Sequence, residues 1–562
     1  MGFFTQYMVS SKIVVWGLTM LGVFFLFQLV SAKLWKKNLP PSPKGYPLVG
    51  NLPEIVKAGG LFYKTMTRWA QEHGEVMRLV LGPNSEYIIN SDRACQAVFT
   101  ANSAATSERP FWHVGQKYFT NYQSMDLLDA SNPRWKLQRK VTLQNLTSAQ
   151  RLDNLFPFLY HETLKFIHEI AVDPDAGTER QTQLFQSLGR YVYSTFTSQL
   201  FGLEIPKTKS KASEYIWASG IDEITTTISG FYLADIFTWL DYLPLGLKPW
   251  AKKGISRFNA DVDFVESRMA HAKDLFDRGE AADSFLTRIF SDMDKAGMTH
   301  SEAAYFALKL VVAASDTSRI SSWVFLEQMV MNPEIQAKAR KIIGTSLTTR
   351  FAKFLWLLTG LDEAVGDRLP VWEDVERIPY VRYLMKETWR MRPPVGNGLG
   401  HRTKIDINYN GYVIPANSTI RPNIWAIGRD HERHPDPDVF KPERWEGDVS
   451  TSQESGNYAD NTKRDHFAFG VGRRFCPGVQ VADRSFAVAI MRFLWSFDMG
   501  IRPGVKLPIN PDDYMESALP GIPGSRFPLS LMVRENRKDL IIKAWEAEMP
   551  NWKLKGSMDY GL

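Results

Sequence analysis

The chain has 562 residues, 44% of them hydrophobic, 13% aromatic and 23% charged, which excludes a disordered chain and supplies apolar material for a large core. Its 67 basic and 61 acidic residues leave a net charge of +6 with no long Lys/Arg tract, so nucleic acid is not indicated, whereas a basic patch facing an acidic partner or an anionic membrane fits. Only two cysteines, Cys95 and Cys476, argue against a disulfide scaffold or a structural zinc cluster and for a reducing compartment.

The first element is Ile13–Ala32, IVVWGLTMLGVFFLFQLVSA, an uncharged apolar run long enough to cross a bilayer core. Lys33, Lys36 and Lys37 follow at once, so the positive-inside rule puts the rest of the chain in the cytosol. A cleaved signal peptide fits less well, because the run is too long and lacks an obvious small-residue cleavage site. On this orientation the sequons at Asn145 and Asn417 stay unglycosylated. Residues 1–32 thus read as a transmembrane anchor. Residues 33–55, with Pro40, Pro41, Pro43, Gly45 and Pro47, read as a stiff, extended hinge. Residues 56–562 read as one large domain, without a second linker or an internal repeat.

Within that domain, VMRLVLG and YIINS flank Gly82-Pro83-Asn84 and predict a hairpin. Cys95, in DRACQAVF, is expected to be a buried core thiol. From about residue 130 to 340 the apolar periodicity is helical. Trp135 and Arg139 in PRWKLQRK stand four apart and share a helix face. A long helix is predicted over Ser301–Met331, carrying Ala313-Ala314-Ser315-Asp316-Thr317-Ser318. Glu387 and Arg390, three apart in KETWR, also project from one helix face. Further on come His401 in GLGHRTKID, a hairpin around Asn410-Gly411, and Arg444 in FKPERW. FAFGVGRRFCPG then spans Phe467 to Gly478, followed by a helix over about Val479–Phe497 and Pro/Gly-rich turns. Gly470 and Gly472 permit tight turns that bring the Cys476 thiolate close to a flat cofactor, aim backbone N–H groups at the sulfur and let Phe469 pack beneath. The overall expectation is a mainly α fold with a smaller β part.

The cysteine loop resembles the haem-binding signature of the cytochrome P-450 family, Phe-x-x-Gly-x-Arg-x-Cys-x-Gly. Phe469, Gly472, Arg474, Cys476 and Gly478 fill every fixed position. Glu387 and Arg390 resemble the family's Glu-x-x-Arg motif, with Arg444 as the expected partner and Trp445 in place of the usual Phe. Trp135 and Arg139 resemble its Trp-x-x-x-Arg motif. Asp316 and Thr317 resemble its acid-alcohol pair, with Ala314 where Gly is usual at a local helix break. The motifs occur in the family's order from Pro40 onward, in wording close to that of fungal microsomal members of secondary metabolism.

The resemblance implies a cytochrome P-450 fold preceded by one transmembrane helix, and a haem b whose iron is held by Cys476. It implies that Trp135, Arg139, His401 and Arg474 serve the haem propionates and that Phe469 packs against the macrocycle. Asp316, linked to solvent, and Thr317, over the iron, would pass protons to bound dioxygen. Glu387, Arg390 and Arg444 would form a structural lock. The implied activity is a monooxygenase that inserts one oxygen atom from O2 into a lipophilic small molecule. No dinucleotide or flavin fingerprint is evident, so NADPH–haemoprotein reductase, with cytochrome b5 as a further donor, would supply electrons at the endoplasmic reticulum membrane. Lys or Arg residues near the cysteine loop would dock it. The alternatives are a haem-thiolate isomerase or synthase without O2 activation, or an inactive haem binder. The last arises because residues 342–360, IIGTSLTTRFAKFLWLLTG, interrupt an otherwise smooth family pattern and read as an insertion or a translated intron. The substrate pocket is expected from Phe111–Met125, the helix face before Thr317, Pro394–Leu399 and Ala518–Ile522.

Overall fold

The computed structural model describes residues 38–47, 49–58, 62–178, 183–227, 232–291, 297–342, 365–506, 508–514 and 526–561. The expected anchor, the interrupting segment after Ile342 and the pocket segment Ala518–Ile522 lie outside the described residues. Among the described residues, no helix is long and apolar enough to cross a membrane.

Helices dominate, as the periodicity predicts. The chain opens with α1 (Leu52–Ala58) and α2 (Phe62–His73). Strands β1 (Val76–Leu81) and β2 (Asn84–Ile89) form the predicted antiparallel hairpin, with Gly82 at φ +63° in its turn. The helical run follows: α3 (Pro133–Asn145), α4 (Phe156–Val172), α5 (Gln183–Phe201), α6 (Lys211–Thr227), α7 (Pro249–Asp277), α8 (His300–Met331), α9 (Pro333–Ile342) and α10 (Pro379–Met391). Short strands β3 (His401–Arg402), β4 (Ile407–Tyr409), β5 (Tyr412–Ile414) and β6 (Thr419–Pro422) come next. One sheet has the order β1-β2-β6-β3, with β2 and β6 parallel. The β4–β5 hairpin turns at Asn410 and Gly411, both at positive φ as a two-residue primed turn requires. Then come α11 (Val479–Ser496), the antiparallel pair β7 (Phe497–Ile501) and β8 (Leu529–Val533), and α12 (Lys538–Glu548).

The central element is α8, 32 residues and about 48 Å long. Thr299 starts it with a capping box closed by Glu302. Most of its sides are buried, so it is a core helix rather than an amphipathic surface one. Its second half joins α4, α5, α10, α11, β7 and β8 in the largest apolar cluster, where Trp323 and Trp495 are fully buried. Its first half packs with α5 and α7 in a second cluster.

One expectation is corrected, that of a C-terminal region made of turns. The described part of the 33–55 segment is docked on the fold: the Arg78 N–H donates to Pro41 O at 2.8 Å, the Val413 N–H donates to Asn38 O at 2.8 Å, and α1 begins within it at Leu52. Proline removes donors but leaves carbonyls, so the segment runs along the sheet as an acceptor strip. The helix carrying Ala314 is continuous, in keeping with alanine where the family usually has glycine. The C-terminal region is more than turns, since it holds β7, β8, α12 and the strand Gly556–Ser557.

Candidate active site

The cysteine loop is built by two left-handed glycines. Gly470 (φ +78°) and Gly472 (φ +60°) flank Val471, and a Cβ on Gly472 would stand 3.0 Å from Phe99 O. The loop closes on itself: the Gly470 N–H donates to Phe467 O and the Cys476 N–H to Phe469 O, each at 2.9 Å. Gly478 then caps α11, so the sulfur lies just before the positive end of an 18-residue helix. Burial pushes the Cys476 thiol up, while the Gly478 N–H and the Arg139 charge favour the thiolate. Cys95, fully buried, is pushed up to about 12 by the loss of solvent and is an inert core thiol, as expected.

Beside the loop lies an excess of positive charge, buried at Arg109 and half-buried at Arg139 and Arg474. Arg139 donates to Phe475 O at 3.0 Å and sits 5.7 Å over the Trp135 ring. Arg474 stacks 4.7 Å over the same indole and donates to Ser107 O (2.8 Å) and Leu128 O (2.5 Å). His401 is buried, with Nδ1 2.8 Å from Thr106 O. Arg109, not identified from the sequence, donates to Gly400 O at 2.7 Å and is also buried. Burial, then repulsion from Arg109 and Arg139, pushes Arg474 down to about 8, although Glu108 and Asp129 offset part of this. Burial and the neighbouring Arg109, Arg474 and Arg421 hold His401 well below its usual range. The cluster is short of negative charge. Phe469 stands edge-on to Trp389, with ring centroids 4.9 Å apart.

Glu387 and Arg390 are fully buried and bonded by two parallel 2.8 Å hydrogen bonds. Arg444 Nε donates to Glu387 Oε1 at 2.9 Å, so one carboxylate serves two guanidiniums. The Lys441 N–H donates to Oε1 at 2.8 Å, and the indole N–H of Trp445 donates to Oε2 at 2.9 Å. Tryptophan in place of phenylalanine therefore adds a fifth hydrogen bond, which the sequence reading treated as a minor change.

The acid and the alcohol of α8 diverge, since successive helical residues are about 100° apart. Thr317 Oγ1 donates back to Ala313 O at 2.8 Å, on the face where Ala313 is exposed and Thr317 half-buried in an otherwise buried helix. Asp316 is not linked to solvent, contrary to expectation. It is buried against α5 and α6, accepts from Tyr193 OH at 2.7 Å and pairs with Arg319 at 2.9 Å. Burial pushes its carboxyl above the usual range. Arg319 was legible as an i,i+3 partner, whereas nothing in the sequence pointed to Tyr193. Ser318 and Ser485 line one small cavity, so this turn of α8 passes the second turn of α11. Phe111, expected in the substrate pocket, is mostly exposed and lies 4.2 Å beneath the Arg402 guanidinium.

A glycine-turned thiol at the N-terminus of α11, beside guanidiniums short of anions, fits an anionic cofactor that carries a metal. The family described as Cytochrome P450 matches residues 40–522. A cytochrome P450 monooxygenase of Gibberella fujikuroi is 45% identical over 91% of this chain and 90% of its own length. Cytochrome P450 monooxygenase virE of Hypocrea virens is 29% identical over 86% of this chain and 83% of its own length. Cytochrome P450 monooxygenase 79 of Postia placenta is 28% identical over 92% and 94%. The chain belongs to the cytochrome P-450 family and is an oxidoreductase of its monooxygenase type. Membership implies a haem held by a cysteine thiolate. The residues present fit that group. The cation cluster lacks the anions that two propionates carry, and metal coordination favours the thiolate that burial disfavours.

Proposed function

We propose that Cys476 holds the haem iron and that the enzyme inserts one oxygen atom from O2 into a lipophilic small molecule, within fungal secondary metabolism. The carrying observation is the Cys476 loop with its neighbouring excess of buried and half-buried guanidiniums. In this reading Arg139, Arg474 and His401 hold the propionates, Trp135 stacks between the two guanidiniums, and Phe469 packs against the macrocycle. The Glu387–Arg390–Arg444 lock fixes the fold beneath the loop. When bound, the haem supplies dioxygen binding and reduction. Thr317 Oγ1 is the hydroxyl that passes a proton toward the site, and Asp316 is the acid behind it. Its pairing with Arg319 and Tyr193 requires a side-chain rotation before it delivers a proton.

Electrons come from NADPH–haemoprotein reductase, with cytochrome b5 as a second donor. Exposed Lys136, Lys140 and Arg473 near the loop support electrostatic docking. The protein resides at the endoplasmic reticulum membrane with its catalytic domain in the cytosol. Exposed Leu233, Trp239, Tyr242, Leu245 and Leu247 support a lipid-facing surface. Ile236 beside them touches the β1–β2 turn at Gly82, whose N–H donates to Val49 O, in the segment that leads back to the apolar run 13–32.

Reconstitution with the reductase in vesicles under labelled dioxygen tests the reading. One labelled oxygen in the product, NADPH dependence, and turnover that falls with added salt are expected. Thr317→Ala is expected to divert electrons to peroxide. Product formed without NADPH and O2 would instead identify an isomerase.

A further inference from the structure

Beyond residue 522, where the family match ends, the chain returns to the core and ties into the helices above α8. Gly556 and Ser557 pair in parallel with Leu203 and Glu204. A Cβ on Gly556 would lie 2.3 Å from Leu203 Cδ2, so a larger residue there would have to displace that side chain. The Met558 side chain is fully buried, and its carbonyl accepts from Arg268 of α7 at 3.0 Å. The Tyr560 ring stacks on His271 of α7, 4.0 Å between centroids and 1° between planes. Between them, Asp559 Oδ1 accepts from the Ala212 N–H (3.0 Å) and from Ser210 Oγ (2.7 Å), at the start of α6. A carboxylate from the C-terminal segment thus caps α6 where its dipole favours negative charge.

The other end of this connection is Asp316. Gly220, nine residues into α6, lies so close that a Cβ there would stand 2.3 Å from Asp316 Oδ2. That oxygen is buried and takes no hydrogen bond among the described residues, while Oδ1 serves Tyr193 and Arg319. The backbone of α6 at Gly220 is therefore the cover over the free oxygen of the acid.

We propose that residues 556–560 form a clasp for α6, and that Asp559 is a positioning residue holding Gly220 over the free oxygen of Asp316. A slack α6 lets water reach the carboxylate and deliver protons out of turn. This consequence rests on the monooxygenase reading, whereas the clasp itself does not.

The test is hydrogen exchange of the full-length protein, with peroxide released per NADPH as the second readout. Asp559→Ala should speed exchange of the α6 amides near Ala212 about fivefold, the loss typical of a helix cap, and raise the peroxide fraction. Asp559→Asn should keep both near wild type, because its amide oxygen caps equally well. Ser210→Ala attacks the same contact from α6 and should act in the same direction if Asp559→Ala does not fold. Unchanged exchange in α6, or faster exchange with unchanged peroxide, overturns the proposal. A wild-type protein without a thiolate-ligated haem spectrum refutes the functional reading instead, and leaves the exchange result standing.

Discussion

Glu387→Gln is the substitution for which the structure makes the sharpest stability claim. It preserves volume and shape but removes the charge that Arg390 faces across two 2.8 Å hydrogen bonds. Both residues are fully buried, so the guanidinium cannot turn to water. Breaking a buried ion pair from one side costs about 3–5 kcal/mol. Arg390 keeps two carbonyl acceptors, Gly428 O at 2.7 Å and Pro437 O at 2.8 Å, which places the loss near the lower end of that range. The amide NH2 must also face either the Trp445 indole N–H or the Arg444 guanidinium, donor against donor. A loss of about 3 kcal/mol is a large fraction of a typical domain's stability. Trp445→Phe removes one donor of five and should cost about 1 kcal/mol. Urea unfolding midpoints at constant slope measure both. A Glu387→Gln loss below about 1 kcal/mol, or one smaller than that of Trp445→Phe, would refute the claim that this carboxylate locks the region.

Gly472→Ala places a Cβ in left-handed backbone 3.0 Å from Phe99 O, and should cost about 1–2 kcal/mol and lower haem retention; a wild-type unfolding midpoint contradicts it. Asp483, buried against Ser452 with Asp465 nearby, has its carboxyl pushed from 3.8 up to about 6, chiefly by burial. A raised folded value means that its contribution to stability is full below about pH 3.8 and is lost as pH rises through about 6. Asp483→Asn should therefore gain stability relative to wild type above pH 6, by up to about 3 kcal/mol, and the gain should vanish toward pH 4. A difference independent of pH, read from unfolding midpoints, rules this out.

Much of the site was legible because local rules govern it. The left-handed glycines of the cysteine loop, the Asn410-Gly411 turn and the i,i+3 pairing of Glu387 with Arg390 each follow from backbone geometry within a few residues. The orientation of Asp316 was not legible, since helical periodicity gives its angle relative to Thr317 but not the Tyr193 hydroxyl that meets it from another helix. Arg109 carries no local sequence signal, and only the tertiary fold buries it beside Arg474. Trp445 stands where the motif usually has Phe, and the role of its N–H appears only once Glu387 is brought beside it. The C-terminal residues, read as turns, owe their order to Leu203, Arg268 and His271, which lie hundreds of residues earlier in the chain.

The central claim is a bond between iron and the sulfur of Cys476, and the absorption spectrum of the reduced, carbon-monoxide-bound protein reads it most directly. Wild type should show the long-wavelength band of a thiolate-ligated haem, and Cys476→Ala should lose it while the Glu387 lock keeps the chain folded. An unchanged band in Cys476→Ala would contradict the account.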